Sequence, residues 1–562
     1  MTNGLFYGDN LGVLREQIAS ESVDLIYLDP PFNSNANYNI LFKSKTGDGS
    51  DAQIEAFEDT WHWNNSAEEA FDEVIRSGNT AAAELLRAMR AFLGENDMMA
   101  YLAMMAIRLI ELHRVLKLTG SLYLHCDPTA SHYLKLLLDG VFGADKFRSE
   151  ISWKRSSAHN DAKQGRVVYG SIRDVIFFYT KGSQWTWNWQ FTPFDQSYVD
   201  GFYKFTDDNG RRFRRGDLTA AKPGGDVSYR WPVKRRHDGK WEADLTREFE
   251  GPQPGWEYRQ VPPYRGRFWA YSQENMRKMD AEGRIIYNSS GVPEFKRYLD
   301  EMPGVPLQNN WTDIDTAGAR GEHLGYPTQK PLALLERIIL TSSNEGDVVL
   351  DPFCGCGTAV HAAQKLRRQW VGIDVTHLAI SLIEKRMKDA FPGIDFTVEG
   401  TPKDLASALD LAERDKYQFQ WWAVSMVDAM PFGGKKKGAD GGIDGIIYFK
   451  PDGKRTERAI VSVKGGSNVG VPMIRDLHSA MEREKAPIAI FITAASPTAP
   501  MEREAAAVGR FEDGFGRTYP RLQILTVAEL FQGKRPNIPY VDASAAFRKA
   551  GREATGKQDR LL

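Results

Sequence analysis

A short acidic and proline-rich segment ends the first apolar stretch of the chain. Residues 22–28 (SVDLIYL) predict a buried strand, and Asp29, Pro30, Pro31 and Phe32 follow it directly. An exocyclic amine is a poor nucleophile, and a carboxylate and a carbonyl that accept its hydrogens favour a pyramidal nitrogen. Asp29 can supply the carboxylate and Pro30 the carbonyl, while Pro31 stiffens the loop and Phe32 offers a face for stacking an extruded base. On its own, an Asp-Pro pair is more often a simple turn.

A second candidate site is the glycine-rich turn 351–358 (DPFCGCGT), placed between a predicted strand at 347–351 and a predicted helix from 358. Gly355 and Gly357 allow a tight turn and close approach to a ligand. Asp374 ends the next predicted strand, where doubly wound folds place an acid for ribose hydroxyls. Val360 replaces the third glycine of a dinucleotide fingerprint, so a plain tight turn is the alternative.

Together these segments resemble the motifs of DNA amino-methyltransferases. The segment 29–32 resembles their catalytic (D/N/S)PP(Y/F) motif, 351–358 their FxGxG cofactor motif, and 326–331 (YPTQKP) their (H/Y)PTQKP motif. The resemblance implies a catalytic loop of Asp29, Pro30, Pro31 and Phe32. It also implies a set of residues that bind S-adenosyl-L-methionine: Asp9, Thr328, Lys330, Asp351, Phe353, Gly355, Gly357, Thr358 and Asp374. In that set Asp9 would contact the adenine moiety, and Thr328 and Lys330 the polar end.

The order of the motifs resembles the β-class of these enzymes, in which the catalytic motif precedes the cofactor motif. The resemblance covers about residues 1–400. Aspartate at the first catalytic position is usual for enzymes that methylate adenine N6 in double-stranded DNA, and serine for N4-cytosine enzymes. We therefore expect an adenine-specific enzyme acting on a flipped base, with N4-cytosine as the alternative.

The elements that must position these residues alternate between strands and helices. Further strands are predicted at 121–125 and 172–180 and helices at 98–117 and 331–343, with Gly120 breaking the chain between helix and strand. This alternation predicts an α/β, Rossmann-like fold with a mostly parallel sheet. The predicted domains are a catalytic half at 1–184, an inserted target-recognition region at 185–318, a cofactor-binding half at 319–400, a linker helix at 401–418, a nuclease-like domain at 419–540 and a polar tail at 541–562.

The predicted insertion is rich in basic and aromatic residues. Arginines cluster at 211–215 and basic residues again at 230–236, with Phe213, Tyr229 and Trp231 between them. Arginines can neutralise phosphates and read guanine edges, which favours contact with DNA. A solvated charged loop is the alternative.

The predicted C-terminal domain has an acid before one strand and a lysine at the end of the next. Asp444 precedes a strand at 446–449, and Lys464 follows a strand at 459–463. This pair resembles the Mrr-like branch of the PD-(D/E)xK nucleases, which implies Asp444 as a ligand of Mg²⁺ and Lys464 as the nuclease lysine. Ser462 stands where that family has a better metal ligand. A cleaving domain and a nuclease fold retained for DNA binding therefore both stay open.

The composition is that of an ordinary globular protein with 42% hydrophobic and 26% charged residues and a net charge of −2, so DNA binding must come from local basic patches. The cysteines, three in number, favour a reducing cytoplasm. No apolar run is long enough for a membrane span, and a homodimer is left open. His125 and Cys126 lack neighbours at zinc spacing and are expected in the core. A single-chain restriction–modification protein and a non-catalytic DNA-binding protein are the other functions considered.

Overall fold

The computed structural model describes residues 3–31, 37–41, 53–58, 62–156, 167, 169–222, 229–235, 237–245, 254–316, 329–432, 442–452 and 455–539. Phe32, Thr328 and the predicted tail 541–562 lie outside these residues. The chain forms two compact units, one built from Met1–Asn188 and Gln308–Gln558 and the other centred on Trp189–Leu307.

The first unit begins with the elements of the predicted catalytic half. Its strands are β1 Gly4–Tyr7, β2 Val23–Leu28, β3 Asn37–Leu41, β4 Gln53–Glu58, β5 Leu116–Cys126, β6 Phe147–Lys154 and β7 Arg173–Thr180. Its helices are α1 Asn10–Gln17, α2 Asn65–Arg76, α3 Thr80–Leu93, α4 Asp97–Val115 and α5 Pro128–Phe142. Helix α4 is apolar over most of its surface and packs against α1, α2, α3 and α5.

The second unit, Trp189–Leu307, is built from short antiparallel strands. They are β8 Phe191–Thr192, β9 Phe205–Thr206, β10 Arg212–Gly216, β11 Thr219–Ala220, β12 Trp231–Arg235, β13 Trp241–Ala243, β14 Glu257–Val261, β15 Phe268–Trp269, β16 Ile285–Tyr287, β17 Pro293–Tyr298 and β18 Val305–Pro306, with helices α6 Gln196–Phe202 and α7 Gln273–Ala281. Its core is centred on Trp231, Trp269 and Met276. Strand β8 pairs with β18, so the two ends of this unit meet. The described unit is thus a folded module with its own core.

The first unit resumes with β19 Asn310–Trp311, α8 Leu332–Ser342, β20 Val348–Asp351, α9 Thr358–Lys365, β21 Gln369–Asp374, α10 His377–Ala390 and β22 Thr397–Glu399. These strands join the earlier ones in a nine-stranded sheet of order β19-β6-β7-β5-β2-β20-β21-β1-β22. Strand β7 is antiparallel to its neighbours, and the run from β5 to β22 is parallel. The predicted α/β fold is therefore confirmed, with two antiparallel pairs added.

Gly120 has a different role from the predicted one. Strand β5 starts at Leu116, directly after α4, so Gly120 lies inside the strand instead of breaking the chain before it. A Cβ at Gly120 would lie 2.5 Å from the Leu116 side chain and 3.0 Å from the Asp24 carbonyl. The pairing of β5 with β2 shifts register at this point. The glycine therefore permits close packing at an irregularity in the sheet.

The C-terminal part of the first unit is a second α/β module. It comprises α11 Leu405–Arg414, α12 Lys416–Ser425, β23 Met430–Pro431, β24 Gly445–Phe449, β25 Glu457–Lys464, α13 Val471–Arg483, β26 Ile488–Thr493, α14 Ala499–Ala507, β27 Arg510–Glu512, β28 Thr518–Pro520, β29 Leu522–Thr526 and α15 Val527–Phe531. Strands β23, β24, β25, β26 and β29 form one sheet, with one apolar cluster formed with α11, α12 and α15 and another with α13 and α14.

The segment 401–418, expected to be a linker helix, contains helix α11 and the start of α12. Ala408 and Leu411 of α11 and Phe419 of α12 are buried in the same cluster as the C-terminal sheet. The two helices are separate because Asp415 is extended and caps α12 through the Tyr417 and Gln418 amides. Both helices therefore contribute to the core of the C-terminal module.

Within the described residues, no helix has the length and apolarity that crossing a membrane requires. Cys126, Cys354 and Cys356 are buried free thiols. The cytoplasmic location and the homodimer stay predictions.

Candidate active site

A cavity of about 330 Å³ opens where the parallel strands β2 and β20 end side by side. Because these strands pair, residues that follow them meet although they are far apart in sequence. The cavity collects most of the predicted site residues: Asp9, Asp29, Pro30, Pro31, Lys330, Asp351, Phe353, Gly355, Thr358 and Asp374. Carboxyl ends of parallel strands are the usual ligand site of open α/β sheets.

The two oxygens of the Asp29 carboxylate have different surroundings. Oδ2 forms an ion pair with Nζ of Lys330, and both side chains are largely buried. Oδ1 is buried too, and no hydrogen-bond donor reaches it among the described residues. A buried acceptor without a donor is costly, so this oxygen is suited to a hydrogen that a ligand brings. Lys330, expected at the polar end of the cofactor, thus contacts Asp29, the carboxylate expected in the catalytic loop.

The glycine-rich loop is held by the acid at the end of the neighbouring strand. Asp374 Oδ2 accepts the Gly355 amide at 2.9 Å, and Oδ1 accepts the amide and hydroxyl of Thr376 at 2.9 and 2.8 Å. Burial raises the pKa of Asp374 to about 6, although these hydrogen bonds lower it. Asp374 therefore shapes the loop and lines the cavity, where it can accept a ribose hydroxyl.

Gly357, expected in the cofactor site, is not among the residues that line the cavity. It adopts a left-handed conformation, with φ of 74°, immediately before α9. A Cβ at this position would lie 2.7 Å from the side chain of Ile383 in α10. The glycine is needed for the turn and for helix packing. Gly355, whose φ is 50°, is the glycine that faces the cavity.

Asp351 is a second buried carboxyl in the cavity wall. Its Oδ1 accepts the amide of Phe353 at 3.1 Å. Burial raises its pKa well above the ordinary value, and the charge of Asp29 adds to the shift. Asp351 is therefore protonated more readily than an exposed aspartate, and the cavity acid that forms an ion pair with Lys330 is Asp29.

The sequence prediction missed a buried arginine that holds Asp9 and Asn10 at one end of the cavity. Arg108 of α4 donates to Asp9 at 2.8 Å and to Asn10 at 2.7 Å, and Asn10 donates to the Pro352 carbonyl at 2.9 Å. The Arg108 side chain is 5% exposed and that of Asp9 61%. A cation among the apolar residues of a helix such as α4 was the available signal. Further lining residues that were missed are Tyr27, Met104, Leu335, Cys356, Val375 and Thr376.

The arginine cluster of the second unit is largely engaged within that unit. Arg211 donates to Asp300 and Glu301 and lies 3.8 Å over the ring of Tyr298. The neighbouring Arg212 and Arg215 pair with Asp200 and Glu294, respectively. These cations are paired with carboxylates of their own module, so a contact with phosphate would require them to exchange partners, and their role in binding DNA stays a prediction.

Other basic groups of this unit are open to solvent. Arg230 and Arg265 are exposed, and no ion pair with another described residue involves them. Beside Arg265, the ring of Tyr264 is 48% exposed. These side chains are better placed to meet DNA than the paired arginines.

The C-terminal module places Asp444 against β25. Asp444 Oδ2 accepts the Val463 amide at 2.6 Å and the Ser462 hydroxyl at 3.4 Å. Ser462 is buried, and Lys464 ends the same strand. In the described part of the chain, no group of three or more His, Cys, Asp or Glu side chains is arranged so that it could hold a metal ion. One carboxylate already bonded to the backbone, with a serine beside it, does not fit a hard divalent cation.

The fold and the cavity agree with the family comparison. Residues 23–385 match the DNA methylase family model, and the chain belongs to this family. Residues 411–512 match a restriction endonuclease family model. The protein is therefore a DNA methyltransferase that carries a restriction-endonuclease-like domain.

Individual relatives agree with this assignment. The chain is 27% identical over 425 residues to the type II methyltransferase M.EcaI of Enterobacter cloacae, which covers 75% of this chain and 77% of that protein. It is 25% identical to the type III StyLTI Mod subunit of Salmonella typhimurium, covering 64% of this chain and 50% of that protein. It is 24% identical to the DNA adenine methyltransferase YhdJ of Escherichia coli, covering 68% and 82%.

Solved structures of similar proteins include the M1.HpyAVI complex with SAM and the cytosine-N4-specific PvuII DNA methyltransferase. The first is 13% identical with a TM-score of 0.30 and covers 68% of this chain and 98% of that one. The second is 11% identical with a TM-score of 0.31 and covers 70% and 89%.

Proposed function

We propose that the protein transfers the methyl group of S-adenosyl-L-methionine to N6 of an adenine flipped out of DNA. The observation that carries this proposal is the Asp29 carboxylate, which has one oxygen paired with Lys330 and the other buried in the cavity with no donor from the described residues. An amine hydrogen supplies that missing donor. The carbonyl of Pro30, also at the cavity, accepts the second hydrogen.

The chemistry needs neither a metal nor a covalent enzyme intermediate. The amine lone pair attacks the methyl carbon, a nitrogen–carbon bond forms, and the carbon–sulfur bond breaks with its electron pair going to sulfur. The nitrogen becomes cationic and then loses one hydrogen as a proton, for which Asp29 is the first acceptor. A fixed carboxylate stabilises the developing positive charge without reorganisation.

The residues of the cavity fit the methyl donor. Asp374 can accept ribose hydroxyls, Gly355 lets the backbone approach closely, and Asp9 and Asn10 are fixed by Arg108 at one end. Asp29 and Asp374 give the cavity a negative character that suits a sulfonium.

Adenine is proposed over cytosine because Asp29 is the residue usual for adenine enzymes and because a relative is named a DNA adenine methyltransferase. The test is mass spectrometry of nucleosides from DNA of cells that express the protein, with Asp29→Ala as the matched control. N6-methyladenine that is absent from the control supports the proposal. N4-methylcytosine in its place contradicts the choice of base.

We infer that the second unit, 189–307, reads the target sequence through exposed groups such as Arg230, Tyr264 and Arg265. For the C-terminal module we propose DNA contact without magnesium-dependent cleavage, since Asp444 is bonded to β25 and Ser462 replaces a stronger ligand. Incubating plasmid DNA with the protein and Mg²⁺ tests the latter proposal, and robust cutting that is lost in Asp444→Ala contradicts it.

A further inference from the structure

A buried chain of polar side chains runs from the cavity across the sheet. Tyr27 lines the cavity, and its hydroxyl lies 2.9 Å from Nδ1 of His125. Nε2 of His125 lies 3.1 Å from Oδ2 of Asp174, and Nε of Arg155 lies 2.9 Å from Oδ1. These residues belong to, or directly follow, the adjacent strands β2, β5, β7 and β6.

This chain of hydrogen-bonded side chains stands out because its surroundings are apolar. Tyr27 and Asp174 are each 2% exposed and His125 is 0% exposed, while nearby positions of the same strands carry Leu and Ile. Burying polar and charged groups is costly even when they are paired, and apolar residues of similar volume often give equal or greater stability. The stability of the fold therefore does not explain why these polar side chains are present.

The far end of this chain of side chains is a carboxylate. Burial raises the pKa of Asp174, but the hydrogen bond and charge of His125 and the charge of Arg155 outweigh it and hold that pKa below its ordinary value. An ionised Asp174 only accepts, so Nε2 of His125 carries the hydrogen of this bond. The bond fixes the orientation of the imidazole ring, and Nδ1 of the ring in turn holds the Tyr27 hydroxyl at 2.9 Å.

The position of Tyr27 matters for the amine in the cavity. Tyr27 and Asp29 are two residues apart at the end of β2, so their side chains leave the backbone toward the same face. Both residues line the cavity, and a tyrosine held by His125 keeps one orientation in the cavity wall before the base arrives.

We propose that Tyr27, His125 and Asp174 form a positioning chain for methyl transfer, which holds the Tyr27 side chain in one orientation in the cavity wall beside Asp29. The inference rests on the proposed methyl transfer. None of these residues reacts with the methyl donor. Their effect is on the rate of transfer, because they order the cavity wall beside Asp29 before the base arrives.

The experiment uses the full chain with Tyr27→Phe, Asp174→Asn and the double variant. Single-turnover transfer from labelled S-adenosyl-L-methionine is measured at saturating DNA and cofactor, with cofactor affinity from calorimetry. We expect each single variant to lower the transfer rate about tenfold, the size of one hydrogen bond, with cofactor affinity within about twofold of wild type. The double variant should be no slower than about the worse single variant, because the residues act as one unit.

Tyr123→Phe is the matched control. Tyr123 pairs in register with Tyr27 on β5, is equally buried, and donates or accepts a 2.7 Å hydrogen bond with Ser342, but it does not line the cavity. We expect its thermal unfolding to shift as much as that of Tyr27→Phe and its transfer rate to stay at the wild-type value. An unchanged rate in Tyr27→Phe, or an equal loss in Tyr123→Phe, overturns the positioning chain. A wild type that methylates no DNA contradicts the proposed function instead.

Discussion

Asp29 and Asp444 both come from motif-like sequences at the edge of a sheet, but their carboxylates are used differently. One oxygen of Asp29 is paired with Lys330 and the other is buried in a cavity without a donor among the described residues. In Asp444 the oxygen Oδ2 accepts the backbone amide of Val463 and the hydroxyl of Ser462. The first carboxylate is prepared for a ligand, whereas the second joins two strands of its own module.

This difference shows how a motif residue can be judged. A buried acceptor that lacks a donor is unfavourable for the fold and is retained where a substrate completes the bonding. An acceptor bonded to the backbone contributes to stability and needs no ligand. Substitution should therefore affect chemistry at Asp29 and folding at Asp444.

The largest effect is expected at Asp29. Asp29→Ala should lower the rate of methyl transfer by about a thousandfold, because it removes the acceptor for an amine hydrogen and the charge that stabilises the cationic nitrogen. Cofactor affinity should change little. A radiolabelled methyl assay and calorimetry measure the two quantities. Methyl transfer by Asp29→Ala near the wild-type rate would contradict the functional role that separates Asp29 from Asp444.

Asp374 should show an intermediate effect on binding. Asp374→Asn should weaken S-adenosyl-L-methionine binding by about 10- to 100-fold, since it loses a charged acceptor and disturbs the bond to Gly355. With its pKa raised to about 6, the wild-type carboxyl becomes protonated as the pH falls below that value, so affinity should fall between pH 7 and 5. The variant should lose this part of the pH dependence in calorimetric titrations, and an identical dependence in both proteins contradicts the assignment.

Asp444 should affect folding and not methylation. Asp444→Ala should destabilise the C-terminal module by about 1–3 kcal/mol, because the buried amide of Val463 loses its partner, with methyl transfer unchanged. Thermal unfolding and the methyl assay test both parts.

Ser462→Glu serves as the companion variant, since it adds the carboxylate that this nuclease fold expects. We expect no detectable cleavage of plasmid DNA with Mg²⁺ by the wild type and some by Ser462→Glu. Cleavage by the wild type would show that the Asp444 carboxylate, like that of Asp29, serves a ligand, and would contradict the comparison.

The smallest effects are expected in the second unit. Arg265→Ala should lower the log–log salt slope of DNA affinity by about 0.9, the value for one lost phosphate contact. Arg211→Ala, which removes an arginine already paired with Asp300 and Glu301, should leave the slope unchanged. Fluorescence anisotropy at several salt concentrations distinguishes the two variants, and equal slopes would contradict the division between paired and exposed arginines.

Sequence patterns predicted much of the fold and most of the cavity. Strands β2, β7, β20 and β21 and helices α4 and α8 lie close to their predicted positions, because their apolar periodicity is strong. Asp29, Lys330 and Asp374 all line the cavity. Asp29 follows β2, Lys330 precedes α8 and Asp374 ends β21, and these elements were predicted from the sequence.

The roles that were not predicted depend on tertiary contacts, which local sequence patterns do not reveal. Gly357 is required by Ile383 of a later helix, and Arg211 is neutralised by acids about ninety residues further on. Tyr27 and His125 look like ordinary core residues until the pairing of β2 with β5 and of β5 with β7 brings Asp174 to them. Long-range pairing decides such roles, and local patterns carry little signal of them.

The pairing of β8 with β18 has a consequence for how this enzyme can evolve. Strands β8 and β18 lie at the start and the end of the second unit and pair with each other. The connection between β7 and β19 of the nine-stranded sheet therefore has the closure entropy of a short loop, although it contains more than a hundred residues. The entropy lost on closing that sheet is then nearly independent of what the unit contains. A duplicated gene could therefore exchange the whole unit for another with similarly close ends and leave the sheet that carries the cavity intact.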